Sequence, residues 1–148
     1  MINIHFEDPE NLITSRQFIK DVVAFTYLKL NLLDVEITIE IVSNERIRQL
    51  NEKYMGTNSE TDVLSFNLGF QNPESGREYL GDVVISGEKT EEQAREIGHT
   101  VEKEMAILIT HGILHLVGYD DQDITDKAVM FALQDKITQD FFKVEGNE

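Results

Sequence analysis

The stretch from His111 to Asp121 constrains this chain more than any other, because it places two imidazoles, a glycine and a carboxylate within eleven residues. Apolar residues recur at Val101, Met105, Ala106, Leu108, Ile109, Ile113, Leu116 and Val117, the period of a mostly buried amphipathic helix. On such a helix His111 and His115 share a face. Their Cβ atoms lie about 6 Å apart, and imidazole nitrogens carried from there reach one zinc at about 2.0–2.1 Å. Gly118 can adopt the left-handed backbone that ends a helix, so Asp121 can swing back as a third ligand, with water in the fourth position. Without a metal, the histidines would be ordinary hydrogen-bonded core residues and Asp121 a cap for the next element. Gly118 and Asp121 standing in register favours the metal.

The zinc proteases of the metzincin kind use a similar ladder, His-Glu-x-x-His-x-x-Gly-x-x-His, with the Glu as general base. Here Gly112 occupies the position of that Glu. The spacing points to a metal geometry of this type, and the missing base argues against peptide hydrolysis by that route.

With 148 residues the length prior gives one domain, 1–148, large enough for a sizeable core. The absence of cysteine excludes disulfides and thiolate ligation, so His and carboxylate must hold any transition metal, which fits a reducing cytoplasm. No apolar run reaches about 18 residues, the length needed to span a membrane, and residues 1–10 lack the pattern of a secretory signal. The net charge of −15 repels a polyanion over most of the surface, so nucleic-acid binding would need a local patch.

Read in order, Asn3–Phe6 predicts a strand, in which His5 carries no chemistry, and Asp8–Asn11 a turn. Thr14 or Ser15 caps a helix to about Leu30, and Val35, Ile37, Ile39 and Ile41 alternate with Glu36, Thr38 and Glu40 in a strand with one polar face. A helix from Ser43 or Asn44 to Tyr54 turns Ile47, Leu50 and Tyr54 inward. Its Arg46, Arg48 and Lys53 form the densest basic cluster, read as a solvated face because Glu45 and Glu52 interleave. Residues 55–60 read as a loop, Thr61–Phe66 as a strand, 68–79 as a loop long enough for a flap, and Gly81–Ser86 as a central strand. Thr90–Gln93 forms a capping box for a short helix closed by Gly98, with His99 a surface loop residue beyond it. Thr100 caps the histidine helix, Thr125 caps a last helix with Val129, Met130, Leu133, Ile137 and Phe141 as its stripe, and the acidic tail 144–148 frays. This order predicts an α+β domain with a small mixed four-stranded sheet packed with helices.

Four ordered segments carry a family likeness: Leu50-Asn51 through Tyr54, Thr61–Phe66, Leu80–Ile85, and His111-Gly-Ile-Leu-His115-Leu-Val-Gly-Tyr119-Asp120. With these the chain resembles the YbeY family of bacterial metal-dependent endoribonucleases over nearly its whole length. The resemblance implies a zincin-like α+β fold, one bound zinc, single-stranded RNA as substrate and maturation of the 3′ end of 16S ribosomal RNA. It further implies the small ribosomal subunit and assembly factors as partners, a cytoplasmic location, and neither DNA nor membrane. Two positions depart from the family pattern. Asp121 stands where the family has its third His ligand, and Met55 where it usually has an Arg; Asn58 and Glu60 are also off-pattern. Carboxylate ligation preserves a zinc site at about 2.0–2.2 Å and opens it to another divalent metal.

The candidate site is therefore His111, His115 and Asp121 as metal ligands, with His111 also counted as catalytic. Asp62 reads as a loop anchor and Glu104 as part of a solvent-facing turn, so neither joins the site. The rival readings are a zinc hydrolase of another bond and a non-catalytic zinc-binding ribosome-assembly factor.

Overall fold

The computed structural model describes residues 1–58 and 61–144. Strands β1 (Ile2–Phe6), β2 (Val35–Val42), β3 (Val63–Gln71) and β4 (Glu78–Ser86) form one sheet in the order β1-β2-β4-β3. The pairs β1–β2 and β2–β4 run parallel and β3–β4 antiparallel, so the sheet is mixed, as expected. Among the described residues five helices pack with it: α1 (Arg16–Lys29), α2 (Asn44–Met55), α3 (Gly87–Ile97), α4 (Val101–Leu116) and α5 (Ile124–Val144).

Strand periodicity divides the core in two. Ile37, Ile39, Val83 and Ile85 face α1 and α4, where Ile19, Val22, Val23, Met105, Ile109 and Ile113 meet them, with Phe141 from α5. Val84 points the other way, into a smaller cluster with Val42, Ile47, Leu50 and Leu64, which seats α2 on the opposite face. Burial on both faces explains the nearly unbroken apolar run of β4.

Several boundaries differ from expectation. The segment 68–79 is no flap: β3 continues to Gln71 and β4 begins at Glu78, closing a hairpin in which Phe70 stacks on Tyr79 with ring centroids 5.0 Å apart. Its turn is fixed by backbone bonds from Asn72 N to Arg77 O and from Gly76 N to Asn72 O, both 2.8 Å, with Gly76 at φ +74°. The same turn covers the polar face of β2. Glu36, only 5% exposed, accepts hydrogen bonds from Asn3 (2.8 Å), Asn72 (3.2 Å) and Ser75 (3.2 Å).

Helix α3 begins at Gly87, because Ser86 caps it by accepting from Lys89 N at 3.1 Å. The expected cap Thr90 is fully buried and its hydroxyl donates to Ser86 O. Asp123, not Thr125, caps α5, its carboxylate accepting from Thr125 N at 2.7 Å. Tyr54 and Val129 lie on exposed rather than core faces, at 57% and 53% exposure. Of the expected loop and tail, residues 59–60 and 145–148 lie outside the described residues.

The Glu36 cluster yields a pH test. The Asn3 amide, ahead of the opposing effect of burial and with the Asn72 and Ser75 donors adding to it, holds the Glu36 carboxyl below the ordinary glutamate value of 4.5. A group depressed in the folded state contributes stability that is complete above its unfolded pKa and lost as pH falls through its folded one. Denaturant unfolding of the native chain should therefore lose stability below about pH 4.5 more steeply than Glu36→Gln, the two curves running parallel at neutral pH.

Candidate metal centre

Helix α4 is positioned before its histidines do anything. Thr100 caps it by accepting from Lys103 N at 3.0 Å, and Met105, Ile109, Ile113 and Leu114 are fully buried. His111 and His115, one turn apart on the remaining face, stand with ring centroids 4.8 Å apart and planes at 78°. After the cap at Val117 the chain reverses at Gly118, whose φ of +105° belongs to the left-handed region that glycine adopts without strain. Tyr119 N then donates to Leu114 O at 3.0 Å, closing the turn and returning Asp121 to the helix face.

Asp121 Oδ2 lies 3.7 Å from His111 Nε2 and 3.4 Å from His115 Nε2, and one ligand atom from each of the three lies within 4.8 Å of the others. Donors held at about 2.1 Å from a tetrahedral ion are separated by about 3.4 Å. The residues present fit a metal of that kind, and all three are partly exposed on one cleft of about 430 Å³.

Strand β3, at the edge of the sheet, forms the other wall. Ser65 Oγ donates to Gly112 O at 3.0 Å and Asn67 Nδ2 donates to Leu116 O at 3.1 Å, so the strand clasps the last two turns of α4. The helix approaches the sheet closely enough to explain the missing base. A Cβ on Gly112 would lie 2.5 Å from Val83 Cγ1 and 3.3 Å from Ser65 Oγ, so no glutamate fits there, and the position faces the sheet instead of the cleft.

Asp62 both lines the cleft and anchors its loop, its carbonyl accepting from Ser86 N at 2.9 Å. Two expectations nearby are corrected. Glu104 is 4% exposed, not solvent-facing, and His99 is no free surface residue: its Nε2 sits 2.6 Å from Glu104 Oε1. Gln93 joins the group, donating to Glu104 Oε2 at 2.8 Å and more weakly to Asp62 Oδ2 at 3.4 Å. A pairing across three elements leaves no periodic mark in the sequence. Arg46, Arg48 and Lys53 do not line the cleft; Arg48 pairs with Glu45 at 2.5 Å and Asn58 at 2.8 Å on the far side of the sheet. Met55 is likewise outside the cleft lining, half exposed at the end of α2.

A polar neighbour of His111 comes from the last helix. Gln134 of α5 is buried, and its Oε1 lies 2.7 Å from His111 Nδ1. A polar residue among Met130, Ile137 and Phe141 on the apolar stripe was the available signal.

Comparison with known proteins agrees with this architecture. The family model described as Endoribonuclease YbeY matches residues 3–142. The chain belongs to the YbeY family. It is 45% identical over 126 residues to the Endoribonuclease YbeY of Sulfurihydrogenibium sp. (strain YO3AOP1), covering 83% of this chain and 81% of that one. It is 35% identical over 154 residues to the Endoribonuclease YbeY of Latilactobacillus sakei subsp. sakei (strain 23K), covering 95% and 98%. The solution structure of TM1509 from Thermotoga maritima superposes with a TM-score of 0.67 at 29% identity, over 97% of this chain and 90% of that one.

The close approach at Gly112 is directly testable. Gly112→Ala should unfold at lower denaturant, by about 1–3 kcal/mol, because the added methyl must displace Val83 in a packed layer. Val83→Ala should cost less stability in the Gly112→Ala background than in the native chain, a coupling that a double-mutant cycle measures.

Proposed function

We propose that this YbeY-family protein is a metal-dependent endoribonuclease in which His111, His115 and Asp121 hold one zinc ion. The separation of their three ligand atoms carries this reading. When bound, the metal supplies Lewis-acid polarisation of a phosphodiester oxygen and an activated water.

The chain's own residues set the conditions. The imidazoles bind as neutral donors, and Asp121 brings a negative charge and an oxygen ligand, which lowers the net charge of the site and widens its tolerance toward other divalent ions. The clasp of Ser65 and Asn67 on α4 fixes the edge strand against the helix that carries the histidines. Single-stranded RNA is the substrate: a cation in the cleft offsets locally the repulsion from a chain of net charge −15. The absence of a glutamate at Gly112 disfavours amide hydrolysis by the metzincin route. Ribosomal RNA, with cleavage at the 3′ end of its small-subunit species, is the proposed target, met in the cytoplasm on the small subunit with its assembly factors. No described helix is long and apolar enough to cross a membrane.

Mass spectrometry of untagged protein should find about one zinc per native chain and a substoichiometric amount in Asp121→Ala. Cleavage of a single-stranded RNA should stop with chelator and in His111→Ala, and return when zinc is restored to the native chain. A metal-loaded native chain that leaves RNA at background would assign the site to a structural role in ribosome assembly and overturn the nuclease reading.

A further inference from the structure

An amide on the buried stripe of a helix must spend its hydrogen bonds on something specific. Gln134 is 4% exposed, one turn beyond the fully buried Met130, and its Oε1 meets His111 Nδ1 at 2.7 Å. An amide oxygen only accepts, so this bond requires the proton on Nδ1 and leaves the lone pair on Nε2. Nε2 is the atom turned toward Asp121, at 3.7 Å. Phe131, three residues before Gln134 on α5, lays its ring 5.6 Å from the His111 ring, so the same helix both packs against the imidazole and fixes its proton.

From this geometry we propose that Gln134 is a positioning residue: it locks His111 as the Nδ1–H tautomer and aims Nε2 into the site. The inference rests on the metal reading for its purpose, though the tautomer itself does not depend on a metal. A neutral acceptor suits a site that already includes Asp121. It orients the ring without adding a further carboxylate beside a cleft that Asp121 and Asp62 already line and that must receive a polyanion. Orienting partners of this kind change metal affinity by about 10–100-fold when removed.

Two measurements test it. In metal-free native protein, long-range 1H–15N spectra should show His111 protonated at Nδ1, and Gln134→Leu should move it toward the Nε2–H form. In competition with a chromophoric chelator, Gln134→Leu should bind zinc about 10–100-fold more weakly, while Gln134→Glu, which keeps an acceptor, stays close to native affinity. Thermal unfolding of the metal-free variants reports whether the fold is intact. Native His111 protonated at Nε2 would overturn the proposal without any variant, as would a folded Gln134→Leu of unchanged zinc affinity. If the native chain binds no zinc, the metal reading fails, and the native spectrum still decides the tautomer.

Discussion

The contact on which the rest depends is the close approach of α4 to the sheet at Gly112. Only hydrogen occupies the space between the helix backbone and Val83, and that lets α4 sink until Met105, Ile109 and Ile113 merge with the layer of Ile37, Ile39, Val83 and Ile85. The depth also puts the Gly112 and Leu116 carbonyls within reach of Ser65 and Asn67 on the edge strand. His111 and His115 are then held on a rigid element at the border between core and water. Three donors that could hold a metal need such support, because small errors in ligand placement weaken binding.

Around this contact, polar groups are arranged to stiffen the walls. Glu104, buried in the first turns of α4, accepts from Gln93 of α3 and meets His99, and Gln93 reaches on to Asp62 at the cleft. On the other side Gln134 and Phe131 of α5 bracket His111. Helices α3 and α5 thus both bring polar partners to the walls, and α5 adds the Phe131 ring against His111. Such networks are favourable only when their members are satisfied; among the described residues the single buried side-chain atom without a partner is the Thr14 hydroxyl, which belongs to neither group.

How much of this was legible follows from the kind of signal each feature leaves. Helix α4 was read correctly because its period, its Thr100 cap and Gly118 agree locally, and Asp121 joined the histidines because a glycine turn has short reach. The mixed sheet followed from the order of its strands. The hairpin was missed because Gly69, Pro73 and Gly76 mask strands stabilised by cross-strand stacking of Phe70 on Tyr79. Thr90 satisfied the capping pattern as well as Ser86 does, and only its burial decides between them. Glu104 has no local signal of burial because its partners come from other segments, and Gln134 sits in a stripe whose apolar members outnumber it. Local patterns were readable, and long-range polar pairings were not.

Gly112 also shows why the ladder of two histidines and a turn glycine does not fix the reaction. In a metzincin-type site the residue after the first histidine is a glutamate that must face the metal cleft to act as base. In this fold the same position faces the sheet, and a side chain of any size would push α4 away from Val83. Metal geometry and base placement are therefore separable: the first is set by residues on one helix face and a turn, the second by how the helix is rotated onto its sheet. With that rotation fixed by the core, the position next to His111 supplies packing. A general base would then have to come from groups bordering the cleft from other elements or from solvent. Asp62, the carboxylate other than Asp121 among the described cleft-lining residues, comes from the segment leading into the edge strand.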